Sequence, residues 1–357
     1  MAGDFNKTTD LGHVLVTGGS GFVGCNFVKT LLAKGHKVRS FDLAPSPLPA
    51  QENLEIIQGN ICDQALVRQA VQGIDTIFHT AAIIELKGGS AVTQEYRDRS
   101  YAINVEATKS LLQVGREAGV KRFVYTASNS VVIGGQPIVN GDETLPYTER
   151  FNDLYTETKV VAEKWVLGQN GQGILTCSIR PSGIWGEGDQ TMFRHMFNQM
   201  IAGLLQARVG SGKARLDNSY VHNLVHGHIL AAQHLVEGGA SPGQAYFIND
   251  GEPINMFDFS KPVIEAVGYP FPKMKVPAVL VKGIMAFWQM LHFKFGIKEP
   301  PVPPLAVERI AIDNFFSIAK AKRDLGYEPL YNTQQGMQQC IPYYQEMYRK
   351  MKQAAGK

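Results

Sequence analysis

Short apolar runs alternate with amphipathic stretches through the first half of the chain. His13-Val-Leu-Val-Thr17 follows a polar leader and reads as a buried parallel strand opening a sheet. Phe22 to Lys34 has helical character. Lys37 to Asp42, Leu54 to Gln58 and Asp75 to His79 read as further strands, with a helix over Asp63 to Gln72 that Asp63 can N-cap and another over Tyr101 to Ala118. Lys121 to Thr126 is a fifth strand, and it runs into Ala127-Ser128-Asn129-Ser130, where hydroxyls emerge at the carboxyl end of the sheet. The alternation predicts an α/β fold, a doubly wound parallel Rossmann sheet, with a smaller C-terminal α/β substrate cap. Ligands bind along that carboxyl edge in such folds.

The loop after the first strand, Thr17-Gly-Gly-Ser-Gly-Phe-Val-Gly24, places Gly18, Gly21 and Gly24 at three-residue spacing before a helix. The first glycine allows the tight turn, the second lets backbone approach a pyrophosphate, and the third lets helix pack on strand. Four glycines in seven residues would weaken a loop that gained nothing from them. Asp42 ends the next strand where a carboxylate takes the adenosine ribose hydroxyls and repels a 2′-phosphate, and Leu43 offers no cation, so NAD is expected rather than NADP. Arg39 is the caution, since a cation here could reverse that choice.

Tyr155 and Lys159 stand four apart in Tyr-Thr-Glu-Thr-Lys, on one face of a helix. A phenol of pKa near 10 must fall by roughly 2 to 3 units to act as a base at neutral pH, each unit being about 1.36 kcal/mol. One ammonium at about 4 Å in an effective dielectric near 20 contributes roughly 4 kcal/mol before desolvation, so the lysine alone is expected to suffice. With the glycine loop, the pair points to hydride transfer with tyrosine as the acid/base.

The division expected is a Rossmann domain over 12–188 with a return segment near 216–250. The cap then comprises 189–215 and 251–357, including the apolar segment 275–296. That segment is too interrupted by Lys282, Gln289, His292 and Lys294 to cross a bilayer. It reads either as an interfacial helix with Trp288 and Phe293 in lipid or as a cap helix packed on the protein. Glu299-Pro-Pro-Val-Pro-Pro304 reads as a stiff connector.

Taken together, the glycine loop, His79-Thr-Ala-Ala82, Asn104, the serine run at Ser128, Tyr155-x-x-x-Lys159 and Arg180-Pro-Ser-Gly-Ile-Trp-Gly186 resemble the extended short-chain dehydrogenase/reductases. Tyr220 to Ala232, Tyr246 to Pro253 and Phe316 to Pro329 resemble the 3β-hydroxysteroid dehydrogenase branch, and the actinobacterial cholesterol dehydrogenases look most alike. The resemblance implies Tyr155 as acid/base, Lys159 as its electrostatic partner and a ribose contact, and Ser128, preferred over Ser130, on the reacting oxygen. It implies that Gly18, Ser20, Gly21, Phe22, Val23 and Gly24 line the pyrophosphate, Asp42 the ribose, and Asn60 and Ile61 the adenine. Asn60 stands where the family usually carries aspartate. Thr80, Ala81, Ala82 and Asn104 are implied as further cofactor contacts, and Pro181 and Ile184 would sit against the nicotinamide. Ile83, Ile84 and Trp185 are expected to wall the substrate pocket, with Glu85 the candidate second acid/base for a Δ5 to Δ4 isomerisation.

The expected reaction is NAD-dependent oxidation of the 3β-hydroxyl of a sterol or steroid. Rivals are a decarboxylating sterol 4α-carboxylate 3-dehydrogenase, a nucleotide-sugar epimerase or dehydratase in which Arg215 grips phosphate, and a catalytically silent dinucleotide-binding sensor. At 357 residues and 44% hydrophobic, the chain can bury a large core, and a net charge of +3 argues against nucleic acid as partner. Cys25, Cys62, Cys177 and Cys340 show no Cys-x-x-Cys and fit reduced thiols in a cytoplasmic protein, with peripheral membrane contact and homodimerisation left open. His222, His226 and His228 lie close together but without cysteine or carboxylate ligands, so no metal site is expected. The leader Met1 to Asp10 lacks an apolar core, so no secretory signal is expected.

Overall fold

The computed structural model describes residues 9–84, 92–151, 153–300, 302 and 304–356. In chain order its first half runs β1 (Val14–Thr17), α1 (Phe22–Ala33), β2 (Val38–Asp42), β3 (Leu54–Gln58), α2 (Gln64–Val71), β4 (Thr76–His79), α3 (Gln94–Tyr101), α4 (Ala107–Glu117) and β5 (Arg122–Thr126). There follow β6 (Ile138–Gly141), α5 (Leu154–Gly168), β7 (Leu175–Pro181), β8 (Gly183–Trp185), α6 (Met192–Ile201), β9 (Ala207–Val209), β10 (Asn218–Tyr220), α7 (Val221–Gln233) and β11 (Ala245–Ile248). The chain closes with α8 (Met256–Ala266), β12 (Met274–Val276), α9 (Ala278–Phe295), α10 (Pro304–Ala311), β13 (Asn314–Phe316), α11 (Ala319–Leu325) and α12 (Thr333–Ala354).

Seven strands form one parallel sheet in the order β11-β7-β5-β4-β1-β2-β3. Every residue of β1, β4, β5 and β11 is buried, which is why these strands read as continuous apolar runs rather than as alternating ones. Strand order reverses between β1 and β4, and this switch point opens a crevice at the carboxyl edge. Asp63 caps α2 by accepting from the amides of Ala65 and Leu66.

The helix expected over Tyr101 to Ala118 starts earlier, at Gln94, and is broken by a π turn over Ala102–Glu106 between α3 and α4. Such bulges cluster at functional sites because the extra residue re-aims side chains. Here the turn carries Asn104.

A second core lies beneath the cap, where Trp185, Phe193, Phe197, Tyr220, Phe259, Val263 and Tyr344 pack together. Three further two-stranded parallel sheets occur, β8 with β10, β9 with β12, and β6 with β13, the last joining the first half of the chain to its C-terminal third. The segment Ile318 to Tyr327, grouped with the cap in the sequence reading, packs instead into the core under the main sheet with Phe27, Val225 and Tyr246. α9 contains no fully buried residue. It lies along α10, joined by an ion pair of 2.6 Å between Lys282 and Glu308.

Candidate active site

The glycine loop is built as the spacing predicts. Gly18 adopts φ +72°, in the left-handed region, and a Cβ on Gly24 would stand 2.0 Å from the Gly18 carbonyl oxygen, so the first turn of α1 presses directly on the loop. Ser20 and Gly21 stay accessible, while Phe22 and Val23 are half-buried. Asp42 reaches back to this loop. One carboxylate oxygen accepts from the Ser20 amide at 3.0 Å and the other from the Ala44 amide at 2.8 Å, and each retains a lone pair for a hydroxyl. Arg39 is taken out of contention, because its guanidinium is held by Glu55 at 2.6 Å and by the carbonyls of Ala70 and Gln72 at the end of α2.

Beyond the loop, Asn60 is exposed and its side-chain oxygen accepts from the Cys62 amide, with Ile61 half-buried beside it. After β4, the Thr80 hydroxyl donates to the Thr17 carbonyl and the Ala81 amide to the Thr17 hydroxyl, which seats Thr80, Ala81 and Ala82 against the glycine loop. Asn104 is placed differently from expectation. It is buried, its amide oxygen accepts from Ile83 N, and its amide nitrogen donates to Ile83 O and the Thr158 hydroxyl. Both ends of the side chain are occupied, so Asn104 clamps the 81–83 loop to α5 rather than facing a ligand.

His79 extends this clamp. Thr108 donates its hydroxyl proton to the Asn104 carbonyl, so His79 Nε2 must carry the proton it shares with Thr108, and Nδ1 accepts from Thr17. Burial drives the ring's pKa down to about 3, and the charge on Lys159 adds to the effect.

Tyr155, Lys159 and Ser128 converge at the end of β5. Ser128 lies near enough to Tyr155 to favour the ionised phenol, and its own oxygen accepts from the Ser130 amide at 3.1 Å. The Ser130 hydroxyl is buried without a partner. Lys159 Nζ lies 5.8 Å from the centre of the Tyr155 ring and 4.7 Å from that of Tyr125, and it donates to the Thr126 carbonyl at 2.7 Å. One turn along α5, the fully buried Glu163 is paired with Arg180 at 3.0 Å and accepts from the Ser178 hydroxyl. Burial lowers the ammonium of Lys159 to about 7, against the opposing pull of Glu163. Burial also pushes the Tyr155 phenol above its ordinary value, with Ser128 acting in the opposite direction. The expectation that the lysine alone would bring the phenol down is therefore corrected. Desolvation of both groups outweighs their mutual attraction.

The sequence reading missed two groups here. Asp153 is buried and N-caps α5, accepting from the Thr156 amide at 2.7 Å, and Arg309 reaches it from α10 in an ion pair. Asp153 followed three residues later by Thr156 is a legible capping signal, whereas Arg309 stands 156 residues away with no local pattern to mark it.

Of the expected substrate-pocket residues, Ile83 is half-buried and Ile84 is 56% exposed at the rim. Trp185 is not a pocket wall. It has no exposed surface, packs at a tilt on Tyr220 and edge-on against Phe259, and donates its indole N–H to Asp250 at 2.9 Å, which fixes it inside the cap core. Glu85 lies outside the described residues. Pro181 closes β7 in a buried position, and Ile184 bridges the two cores. Arg215 is committed elsewhere, paired with Asp313 at 3.2 Å and lying over the Phe315 ring. His228 accepts from the Thr126 hydroxyl and donates to the Leu224 carbonyl, and no metal-binding group occurs among the described residues.

A parallel sheet with a glycine-rich loop, a carboxylate closing the second strand and a Ser-Tyr-Lys cluster along its carboxyl edge is the arrangement of the doubly wound dinucleotide folds. A short-chain dehydrogenase/reductase superfamily protein of Agrobacterium tumefaciens, solved with bound NAD, shares this fold at TM-score 0.69 and 21% identity, covering 96% of this chain and 99% of that one. The model of the 3-beta hydroxysteroid dehydrogenase/isomerase family matches residues 15–278, and the chain belongs to that family. It is 66% identical over 350 residues to the 3-beta-hydroxysteroid dehydrogenase of Mycolicibacterium neoaurum, covering 98% of this chain and 96% of the relative. It is 64% identical over 354 residues to the 3 beta-hydroxysteroid dehydrogenase/Delta 5-->4-isomerase of Mycobacterium tuberculosis, with 99% and 96% covered.

Proposed function

We propose that this protein oxidises the 3β-hydroxyl of a steroid or sterol to the 3-ketone with NAD. The observation that carries the reading is the Ser128–Tyr155–Lys159 cluster at the carboxyl edge, beside a loop shaped for a pyrophosphate, in a chain so similar to two 3β-hydroxysteroid dehydrogenases. Gly18 to Gly24 would hold the pyrophosphate and Asp42 the ribose. Bound NAD supplies the hydride acceptor. Ser128 would hold the substrate oxygen by a hydrogen bond, Tyr155, as its phenolate, would take the hydroxyl proton as hydride leaves C3 for the cofactor, and the positive charge of Lys159 would favour that phenolate before the proton arrives. Asn104 and His79 act at one remove, by holding the loop and helix that frame these groups. The commitment of Arg215 to Asp313 removes the cation that a nucleotide-sugar reading needs.

We also propose that α9 rests on an anionic lipid surface, the medium in which a sterol is found. The segment 273–298 carries five lysines and no acidic residue, and Val279, Phe287 and Phe295 are 85%, 60% and 65% exposed. No helix among the described residues is long and apolar enough to cross a membrane.

The test is NADH formation from a 3β-hydroxy-Δ5-steroid by the purified protein, with product mass and the absorbance of a conjugated 4-en-3-one reporting any isomerisation. Turnover should fall by roughly 10² or more in Tyr155→Phe, with the fold and NAD binding retained. No NADH from any 3β-hydroxysteroid, release of carbon dioxide from a 4α-carboxysterol alone, or turnover of a UDP-sugar would each overturn the reading.

A further inference from the structure

Arg309 reaches the site from a remote part of the chain, yet it meets the helix that carries Tyr155. Its guanidinium pairs with Asp153, whose side chain has no exposed surface and whose carboxylate already accepts from the amide and hydroxyl of Thr156. Asp153 thus serves two masters, the first turn of α5 and a cation on α10. The Nε–H of Arg309 is buried without a partner, so the side chain is not placed for its own satisfaction. α10 in turn is tied to α9 by Lys282 and Glu308.

We propose that Arg309 is a positioning residue for proton transfer at Tyr155: it neutralises Asp153, two residues before the tyrosine, and makes the electrostatics of the site depend on α10 being docked. The inference rests on the reading of Tyr155 as the proton acceptor. An unneutralised Asp153 carboxylate, two residues before Tyr155 and itself buried, would disfavour the ionised phenol, since like charges in a dry site repel. The directions of the two influences on the phenol agree with this, Asp153 pushing it up and Arg309 pulling it down. Burial sets the larger upward push on the same group. The other groups around the phenol are Ser128 and Tyr125 from β5 and its loop, and Lys159 from α5 itself. None of these changes when Arg309 is removed. The alternative is a purely mechanical latch, in which the ion pair holds α10 down and the charge is incidental.

The two differ in what a compensating change repairs. Arg309→Met leaves Asp153 uncompensated, so the rising limb of kcat against pH should move up by about one unit, a roughly tenfold loss of turnover on the acidic side of the profile. Arg309→Lys, which keeps the charge, should recover most of it. Asparagine caps helices as well as aspartate does, so the double variant Arg309→Met with Asp153→Asn removes both charges while keeping the cap, and its profile should return to that of the parent. Thermal unfolding of each variant reports whether the fold is intact. An unshifted profile in a folded Arg309→Met, or a double variant as impaired as the single one, overturns the proposal. Tyr155→Phe run alongside separates the two failures. If it turns over normally, the reading of Tyr155 falls; if it is inactive while Arg309→Met keeps the parental profile, only the role of Arg309 falls.

Discussion

Lys159 and Tyr155 are each driven by burial away from the charge state that proton transfer requires, the ammonium down to about 7 and the phenol upward. On the proposed reading, the positive charge of an oxidised nicotinamide would act against the upward push on the phenol. The extent to which both groups are desolvated was not legible in the sequence, since spacing gives proximity but not burial. The pair itself, the glycines and Asp42 were legible because each follows from local geometry: i, i+4 on a helix, a positive φ, a strand end. The placement of Asn104 and Trp185 was not, since a buried amide and a buried indole read in sequence like their exposed counterparts until their partners Ile83, Thr158 and Asp250 are known. Asp42 carries a prediction at this scale. Its carboxylate is fixed by the Ser20 and Ala44 amides and Arg39 is turned away, so NAD should be preferred over NADP by at least about tenfold, roughly 1.4 kcal/mol. Steady-state kinetics with both cofactors check this. Asp42→Ala should lose the discrimination, and equal use of the two by the parent would show that the carboxylate does not select.

At the scale of elements, β4 and α7 each bury a neutral histidine in the core. Burial holds His79 down to about 3 and His228 down to about 4. In the unfolded chain both titrate near 6.5, so below that pH the unfolded state takes up protons that the native state refuses. Their contribution is fully present above about pH 6.5 and is lost progressively as pH falls, toward about 4 for His228 and about 3 for His79. Each ring should cost about 2 kcal/mol between pH 6.5 and pH 5, at 1.36 kcal/mol per unit. Thermal unfolding across that range should show a steep decline that is shallower in His228→Gln, and equal slopes would mean that the ring is not kept neutral. The Rossmann elements were readable because fully buried parallel strands are unbroken apolar runs and the helices between them are amphipathic. The three-residue strands were not, because β8, β9, β10, β12 and β13 are too short to show a period and owe their existence to partners far along the chain. The π turn at Ala102–Glu106 was equally hidden, since one inserted residue leaves the apolar pattern on either side intact.

For the whole molecule, the exposed apolar face of α9 and its lysines predict that the protein sediments with vesicles containing anionic phospholipid and releases at high salt. Trp288→Ser with Phe293→Ser should weaken binding without lowering the unfolding temperature, because α9 contains no fully buried residue. Absence of sedimentation in the parent would leave the lipid role without support. The topology has a separate consequence, for synthesis. The core under the main sheet takes in Ile318, Ala321, Leu325 and Tyr327, and among the described residues β6 pairs only with Asn314–Phe316. A nascent chain that has finished β11 therefore still exposes apolar surface and an unpaired edge. At a translation rate of about 5–20 residues per second, that interval lasts on the order of ten seconds. The core under the main sheet can close only once Tyr327 has left the ribosome.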